Sequence, residues 1–187
     1  SSCLFSEDID VTKYDFIYAC AQKNFGPSGI TLVIAKKDLL EKSNPDLPNI
    51  LKYDAHANEG SMLNTPNTFG WYVAGKMFDW YLENGGVAEM EKQSIAKTAM
   101  LYDLIDKSDF YVNPVNPEQR SINNVVFTTV NSELEKVFLE EAEKADLRYL
   151  KGHRTVGGMR ASIYNSMKIE SVSALKDFME NFEKNYG

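Results

Sequence analysis

Apolar positions along this chain fall into short runs and into longer stretches with helical spacing. The short runs at residues 16–20 and 30–35 predict buried strands. Residues 67–84 and 87–107 carry apolar side chains three and four positions apart, which predicts two helices separated by the helix-breaking glycines at 85–86. We interpret the methionine and aromatic stripes on both helices as core packing, and the glycine pair as the domain boundary.

After residue 107, short apolar runs alternate with helical spacing. We predict strands at residues 110–112, 124–129, 147–150 and 160–164, and helices at residues 132–145 and 172–186. Ser132 and Glu135 form a capping-box pattern at the first of these helices, and Ser171 is the expected cap of the second. Strands that alternate with helices, with the last two strands antiparallel, indicate a small two-layer α/β sandwich.

Residues 43–66 show little periodicity and follow a short predicted helix at residues 37–42. Long irregular segments in compact domains are typically functional or disordered. We favour function here because Asn64 and Thr65 lie at the end of the segment. From the residues alone, however, a turn with helix-capping side chains is the simpler interpretation of this pair.

Composition narrows the possible function classes. The chain has 187 residues, a net charge of -7 and 43% hydrophobic residues, enough for one large domain or one and a half with a real core. Acidic and basic residues are mixed along the sequence, which argues for a soluble protein and against non-specific binding of nucleic acid. No apolar run approaches the roughly 20 residues that span a bilayer, and no metal-ligand spacing occurs.

The cysteines and the amino terminus bear on the cellular location. Cys20 lies in an apolar run, where we expect a small core residue rather than half of a disulfide with Cys3. We therefore predict a reducing, cytoplasmic compartment. The first residues have neither the basic region nor the apolar core of a signal peptide. They also lack an initiator Met, which supports a truncated or processed chain.

Lys23 is the first candidate for chemistry. It follows the first predicted strand and precedes a Gly-Pro-Ser-Gly turn. A lysine is rarely placed where the chain is about to be buried unless its amine is used, and a partly desolvated ε-amine can form a Schiff base with an aldehyde cofactor. From these neighbouring residues alone, a surface lysine at a strand end is still the slightly better interpretation.

The second candidate is a basic, glycine-rich loop. Lys151, His153 and Arg154 lie within four residues beside glycines, and Arg160 follows. An isolated basic cluster is usually a solvated surface, but glycines let backbone N–H groups and side chains converge on an anion. A guanidinium also suits two-point pairing with a carboxylate. Arg120, in a proline-containing loop, is interpreted as structural.

Three segments in this order carry a resemblance to a known family: Ala-Gln-Lys-Asn-Phe-Gly-Pro-Ser-Gly at 21–29, Gly-Ser-Met-Leu-Asn-Thr-Pro at 60–66, and Gly-His-Arg-Thr-Val-Gly-Gly-Met-Arg-Ala-Ser at 152–162. Together they closely resemble the phosphoserine aminotransferases, which are fold-type I pyridoxal-phosphate (PLP) enzymes of class V. The resemblance covers essentially the whole chain but only the carboxyl-terminal half of the family's sequence. It implies that residues 1–85 form the end of a large PLP-binding α/β domain, incomplete here, and that residues 86–187 form a small C-terminal α/β sandwich domain.

The resemblance also implies a cofactor site. Lys23 corresponds to the lysine that holds PLP as a Schiff base and carries a proton between the substrate Cα and the cofactor. Gln22 is implied to lie beside the cofactor phosphate. Asn64 and Thr65 are implied to bind the PLP phosphate of the neighbouring subunit, so that the active site is shared across a two-fold homodimer.

Substrate roles follow from the same resemblance. Arg160 is implied to bind the α-carboxylate, and His153 and Arg154 the phosphate of phosphoserine or the γ-carboxylate of 2-oxoglutarate. The implied reaction converts O-phospho-L-serine and 2-oxoglutarate to 3-phosphohydroxypyruvate and L-glutamate in serine biosynthesis. A second role of the family, in pyridoxine biosynthesis, stays open.

Two alternatives stay open as well. The first is another class V enzyme with a different small substrate, which would not need His153 and Arg154. The second is a non-catalytic fold fragment that dimerises without binding PLP. In the family, the aspartate that pairs with the pyridine nitrogen lies just upstream of the segment matching residues 1–2. Activity of this chain alone is therefore not expected, and a PLP titration separates the alternatives.

Overall fold

The computed structural model describes residues 3–187. Its helices are α1 (Lys37–Leu40), α2 (Tyr53–Asn58), α3 (Thr68–Glu83), α4 (Gly86–Lys107), α5 (Glu133–Lys144) and α6 (Ile169–Tyr186). Its strands are β1 (Phe16–Cys20), β2 (Thr31–Ala35), β3 (Tyr111–Val112), β4 (Asn124–Thr129) and β5 (Met159–Ser162). The chain divides into two units, which meet in the sequence between Ala88 and Glu89. Each unit is a mixed α/β structure, as the sequence predicts.

The first unit is built on an antiparallel pair of strands. β1 and β2 pair from Phe16 opposite Ala35 to Cys20 opposite Thr31. α3 packs closely on the residue before β2, since an added Cβ at Gly70 would lie 2.8 Å from Ile30 Cγ1. α2 lies inside the segment that we expected to be irregular, so that prediction was wrong. A helix of six residues is too short to show helical periodicity.

The expectation that the aromatic stripe of α3 packs into a core is met at Tyr81, which is 4% exposed, but not at Phe69 and Tyr72. Phe69 and Tyr72 are 70% and 66% exposed, and Leu82 is 79% exposed. The side of α3 that is buried carries mainly small residues, Gly70 and Ala74. Helical spacing shows which residues share a face, but it does not show whether this chain covers that face.

The second unit has a three-stranded antiparallel sheet in the order β3-β4-β5. Burial alternates along β4, so that one face of the sheet is buried. The hydrophobic core contains side chains from all three strands and from α4, α5 and α6. Its largest fully buried members are Phe127, Phe138, Phe182, Leu101, Met159 and Met179. This arrangement fixes the position of β5, which carries Arg160.

A buried lysine joins α4 to the segment between β5 and α6. The Lys97 amine donates hydrogen bonds to the backbone carbonyls of Tyr164, Asn165 and Met167 at 3.2, 3.3 and 3.0 Å. Only 3% of the residue is exposed, and this burial lowers the pKa of the Lys97 amine. The three N–H donors of the amine thus each have an acceptor, and the bonds hold the chain that follows β5 against α4.

Three local predictions in this unit were wrong. Residues 147–150 form no strand: Tyr149 has φ 63°, and only an isolated bridge between Lys151 and Met159 remains. The Ser132 side chain makes no capping hydrogen bond, and its backbone is already helical with φ -60° and ψ -21°, whereas a capping residue is typically extended. α6 begins at Ile169, so the predicted cap Ser171 lies in its first turn.

Over residues 3–187, none of the helices combines the length and the apolar character that a membrane-spanning helix needs.

Candidate functional site

Lys23 lies in a tight turn between β1 and β2. The carbonyl oxygen of Ala21 accepts hydrogen bonds from the backbone N–H groups of Asn24, Phe25 and Gly26 at 3.2, 3.1 and 3.2 Å. This winds the backbone around Lys23, which is half-buried. Its amine donates to Cys3 Sγ at 3.6 Å and meets no oxygen acceptor among the described residues. A half-buried amine without a carboxylate or carbonyl partner fits covalent attachment to an aldehyde cofactor.

Gln22 is next to this lysine but differs from it in exposure. Its side chain is exposed and makes no hydrogen bond within residues 3–187. The amide is therefore available to an acceptor or a donor that the described residues do not supply. The predicted contact with a cofactor phosphate stays a prediction.

Asn64 and Thr65 lie before α3, and both are exposed. The Asn64 amide donates to the carbonyl of Thr65, at 3.2 Å. The cap of α3 is Asn67, whose Oδ1 accepts from the Gly70 N–H at 3.1 Å. The helix-capping interpretation of the Asn64–Thr65 pair is therefore wrong, and among residues 3–88 neither side chain has a hydrogen-bond partner outside the pair.

In the second unit, a narrow loop presents His153 and Arg154. Its base is closed by a hydrogen bond of 2.8 Å from the Gly152 N–H to the Gly158 carbonyl. A Cβ at Gly152 would collide with the Gly157 carbonyl, so this position requires glycine. Both basic side chains are exposed, and the His153 ring bonds Thr155 Oγ1 at 2.8 Å.

Arg160 lies on β5 beside the base of that loop, opposite Val126 on β4. Its backbone N–H donates to the Leu150 carbonyl at 2.7 Å. Its side-chain Nε is buried and has no hydrogen-bond partner. A buried guanidinium nitrogen without an acceptor costs free energy, so an anion that bound there would find a donor already desolvated.

The four arginines of the chain divide into two groups. Arg120 makes a two-point ion pair with Asp106 at 2.6 and 2.7 Å, and Arg148 pairs with Asp146 at 2.8 Å. The Arg120 pair lowers the pKa of the Asp106 carboxyl and is structural, as predicted. Arg154 and Arg160 have no carboxylate partner among residues 3–187. The two arginines expected to bind substrate are thus the two that the described chain leaves unpaired.

An open cavity of about 550 Å³ lies beside Arg160. β5 lines one side of it, residues 146–150 line a second, and the first turns of α6 line a third. A volume of this size accommodates a small organic molecule. The described residues contain no cluster of His, Cys, Asp or Glu side chains suited to a metal ion.

The predicted site residues therefore fall in both units. Gln22, Lys23 and the pair at 64–65 belong to the first, and His153, Arg154 and Arg160 belong to the second. Sequence reasoning missed the hydrogen bonds by which Asn24 and Tyr81 hold the Lys23 turn. A buried asparagine gives no periodic signal, and the helical spacing of Tyr81 indicates only core packing.

The comparisons with known proteins agree with the resemblance inferred from the sequence. Residues 2–175 match the model of the aminotransferase class-V family. A phosphoserine aminotransferase of Acinetobacter baylyi is 52% identical over 187 residues, which are 100% of this chain and 52% of the relative. The chain thus spans about half the length of this curated relative.

Solved structures show the same likeness. The phosphoserine aminotransferase of Bacillus circulans subsp. alkalophilus superposes with a TM-score of 0.96 at 41% identity, covering 100% of this chain and 52% of that one. A PLP-bound phosphoserine aminotransferase of Trichomonas vaginalis has a TM-score of 0.90 at 37% identity, covering 96% and 52% of the two chains. On these matches, the chain belongs to the class-V aminotransferase family.

Proposed function

We propose that this chain supplies the cofactor lysine and the substrate-binding cations of a PLP-dependent phosphoserine aminotransferase. The observation that carries the proposal is the division of the arginines, in which Arg154 and Arg160 alone lack a carboxylate partner within residues 3–187. Uncompensated guanidinium groups suit a substrate with two anionic ends. Phosphoserine and 2-oxoglutarate both have two such ends.

The residues of the first unit are proposed to hold the cofactor. Bound PLP supplies the electron sink that transamination needs. Lys23 fits this role because its half-buried amine has no oxygen acceptor in the described chain. Once released from the cofactor, the Lys23 amine would take up the proton that leaves the substrate Cα, and would give it back on the reverse path. Gln22 contacts the cofactor phosphate, and Asn64 and Thr65 contact that of a second subunit in a homodimer.

The residues of the second unit are proposed to orient the substrate. The guanidinium of Arg160 binds the α-carboxylate, which is common to all amino- and keto-acid substrates. His153 and Arg154 bind the far anion, either phosphate or γ-carboxylate. A single far-anion site then serves both half-reactions, and L-glutamate and 3-phosphohydroxypyruvate are the products.

The proposal extends to the longer protein and its setting. The likeness to phosphoserine aminotransferases supports a cytoplasmic enzyme of serine biosynthesis, and we include pyridoxine biosynthesis as a second pathway. Because the chain spans 52% of its relative, we infer that the activity belongs to a full-length protein of which this chain is the carboxyl-terminal half.

Replacing His153 and Arg154 together by Ala in the full-length protein tests the substrate class. Each charged hydrogen bond lost costs about 1.5–3 kcal/mol, so the KM values for phosphoserine and 2-oxoglutarate should both rise more than tenfold. Transamination between alanine and pyruvate should change little, since neither carries a second anion. Equal loss on all substrates, or no phosphoserine activity in the unaltered protein, would favour another class V aminotransferase.

A further inference from the structure

The turn that carries Lys23 is held from two sides by its neighbour Asn24. The Asn24 side-chain amide donates to the Leu4 carbonyl at 3.0 Å and to Ser6 Oγ at 2.8 Å. Its backbone carbonyl accepts a hydrogen bond of 2.8 Å from the Tyr81 hydroxyl on α3. Asn24 and Tyr81 are 5% and 4% exposed, so these bonds are shielded from water. One residue thus ties the Lys23 turn both to residues 4–6 and to α3.

Residues 4–6, which Asn24 holds, directly follow the residue that contacts the Lys23 amine. Cys3, whose Sγ is 3.6 Å from Lys23 Nζ, immediately precedes Leu4. Phe5 has φ 72°, a left-handed conformation that persists only where the surroundings enforce it. The Phe5 ring packs against Phe25 and Tyr81 at centroid distances of 5.3 and 5.5 Å. The aromatic contacts and the Asn24 bonds together impose this strained backbone.

We propose that Asn24 and Tyr81 are positioning residues for the Lys23 amine. The inference rests on the proposed function, in which Lys23 holds the cofactor and then moves a proton at the substrate Cα. The lysine side chain is long and flexible, so its amine is placed reproducibly only if the backbone of the turn is fixed. An error of about 1 Å in such a group can cost about a hundredfold in rate.

Tyr81→Phe in the full-length protein is the most conservative test, because it removes one hydroxyl and leaves the ring contacts. Tyr111→Phe is its matched control. Tyr111 is 2% exposed, and its hydroxyl donates to the Met179 carbonyl at 2.9 Å in the second unit. Both variants delete a buried tyrosine–carbonyl bond, and they differ in whether that bond holds the Lys23 turn.

Two readouts report on the Lys23 amine without requiring turnover: the Kd of PLP, and the pH at which the absorbance band of the lysine-linked cofactor changes. We expect Tyr81→Phe to raise the Kd about fivefold, the effect of one lost hydrogen bond, and to shift the absorbance midpoint. Tyr111→Phe should leave both within about twofold of the unaltered protein. Asn24→Ala, which removes the two side-chain bonds to Leu4 and Ser6 and keeps the Tyr81 bond, should raise the Kd more than Tyr81→Phe does.

The outcomes are distinguishable. If the unaltered protein does not take up PLP on Lys23, the proposed function fails. If it does, and Tyr81→Phe leaves both the Kd and the absorbance midpoint unchanged or changes them no more than Tyr111→Phe, the positioning role is overturned. Should Asn24→Ala not fold, the comparison of the two tyrosine variants still decides.

Discussion

Arg160→Lys should weaken the binding of every amino- or keto-acid substrate, whether phosphorylated or not. The structure sets the size of this effect. The buried Nε has no partner within the described chain, so the guanidinium can offer a carboxylate two parallel N–H donors. Lysine keeps the charge but offers a single point of contact. Losing one charged hydrogen bond costs about 2 kcal/mol, which is about thirtyfold in kcat/KM.

The assay is the kcat/KM of the full-length enzyme with phosphoserine and 2-oxoglutarate, and with alanine and pyruvate. Arg148→Lys is the control, because Arg148 lines the same cavity but is already paired with Asp146. It should change neither reaction by more than about twofold. Thermal unfolding of both variants verifies that the folded state is intact.

A loss confined to phosphoserine would contradict this reasoning, because it would place Arg160 at the phosphate rather than at the α-carboxylate. An equal loss in Arg148→Lys would also contradict it. The effect would then come from the shape or charge of the cavity and not from the two-point contact.

Three further predictions concern stability and the chain by itself. Lys97→Met should lower the free energy of unfolding in urea by about 3 kcal/mol, since three buried carbonyls lose their donor. Burial lowers the pKa of the Lys97 amine, so the folded state releases this proton at a lower pH than the unfolded state. The free energy of unfolding of the wild type should therefore exceed that of Lys97→Met by more as the pH rises from the folded-state pKa of Lys97 towards that of an ordinary lysine. A difference that narrows over this pH range would contradict the lowered pKa. Tyr149→Gly should raise stability by about 0.5–1 kcal/mol, because it relieves a left-handed backbone at a residue 92% exposed. Tyr14→Gly, at an exposed tyrosine with φ -120°, should lower stability, and the same sign for both variants would refute the argument from strain. The 187-residue chain alone should bind PLP weakly and show no transamination, and turnover matching the full-length enzyme would contradict that.

Sequence patterns predicted the regular elements best where the period extends over many residues. α3 and α4 lie within a residue or two of their predicted bounds, and β1 matches them fully. α2 escaped prediction because it is short and has no apolar face of its own. The predicted strand at 147–150 failed because Tyr149 adopts a left-handed backbone, which its residue type does not signal.

The candidate functional site was harder to predict from the sequence than the helices and strands. Local residue chemistry made Lys23 and Arg160 candidates, but only the family resemblance favoured them over a surface lysine and a solvated basic cluster. What distinguishes them physically is the absence of oxygen partners for the Lys23 amine and of a carboxylate for Arg160 in the described chain. Both properties depend on contacts between distant segments, as does the Tyr81–Asn24 bond across 57 positions. No local pattern encodes such contacts.

Covalent trapping shows whether Lys23 holds the cofactor. The full-length protein loaded with PLP is reduced with borohydride, digested and mapped by mass spectrometry. We expect the cofactor mass on Lys23, and no label in Lys23→Ala. Recovery of the label on Lys36 or Lys37, which follow β2 and are exposed, would contradict the account.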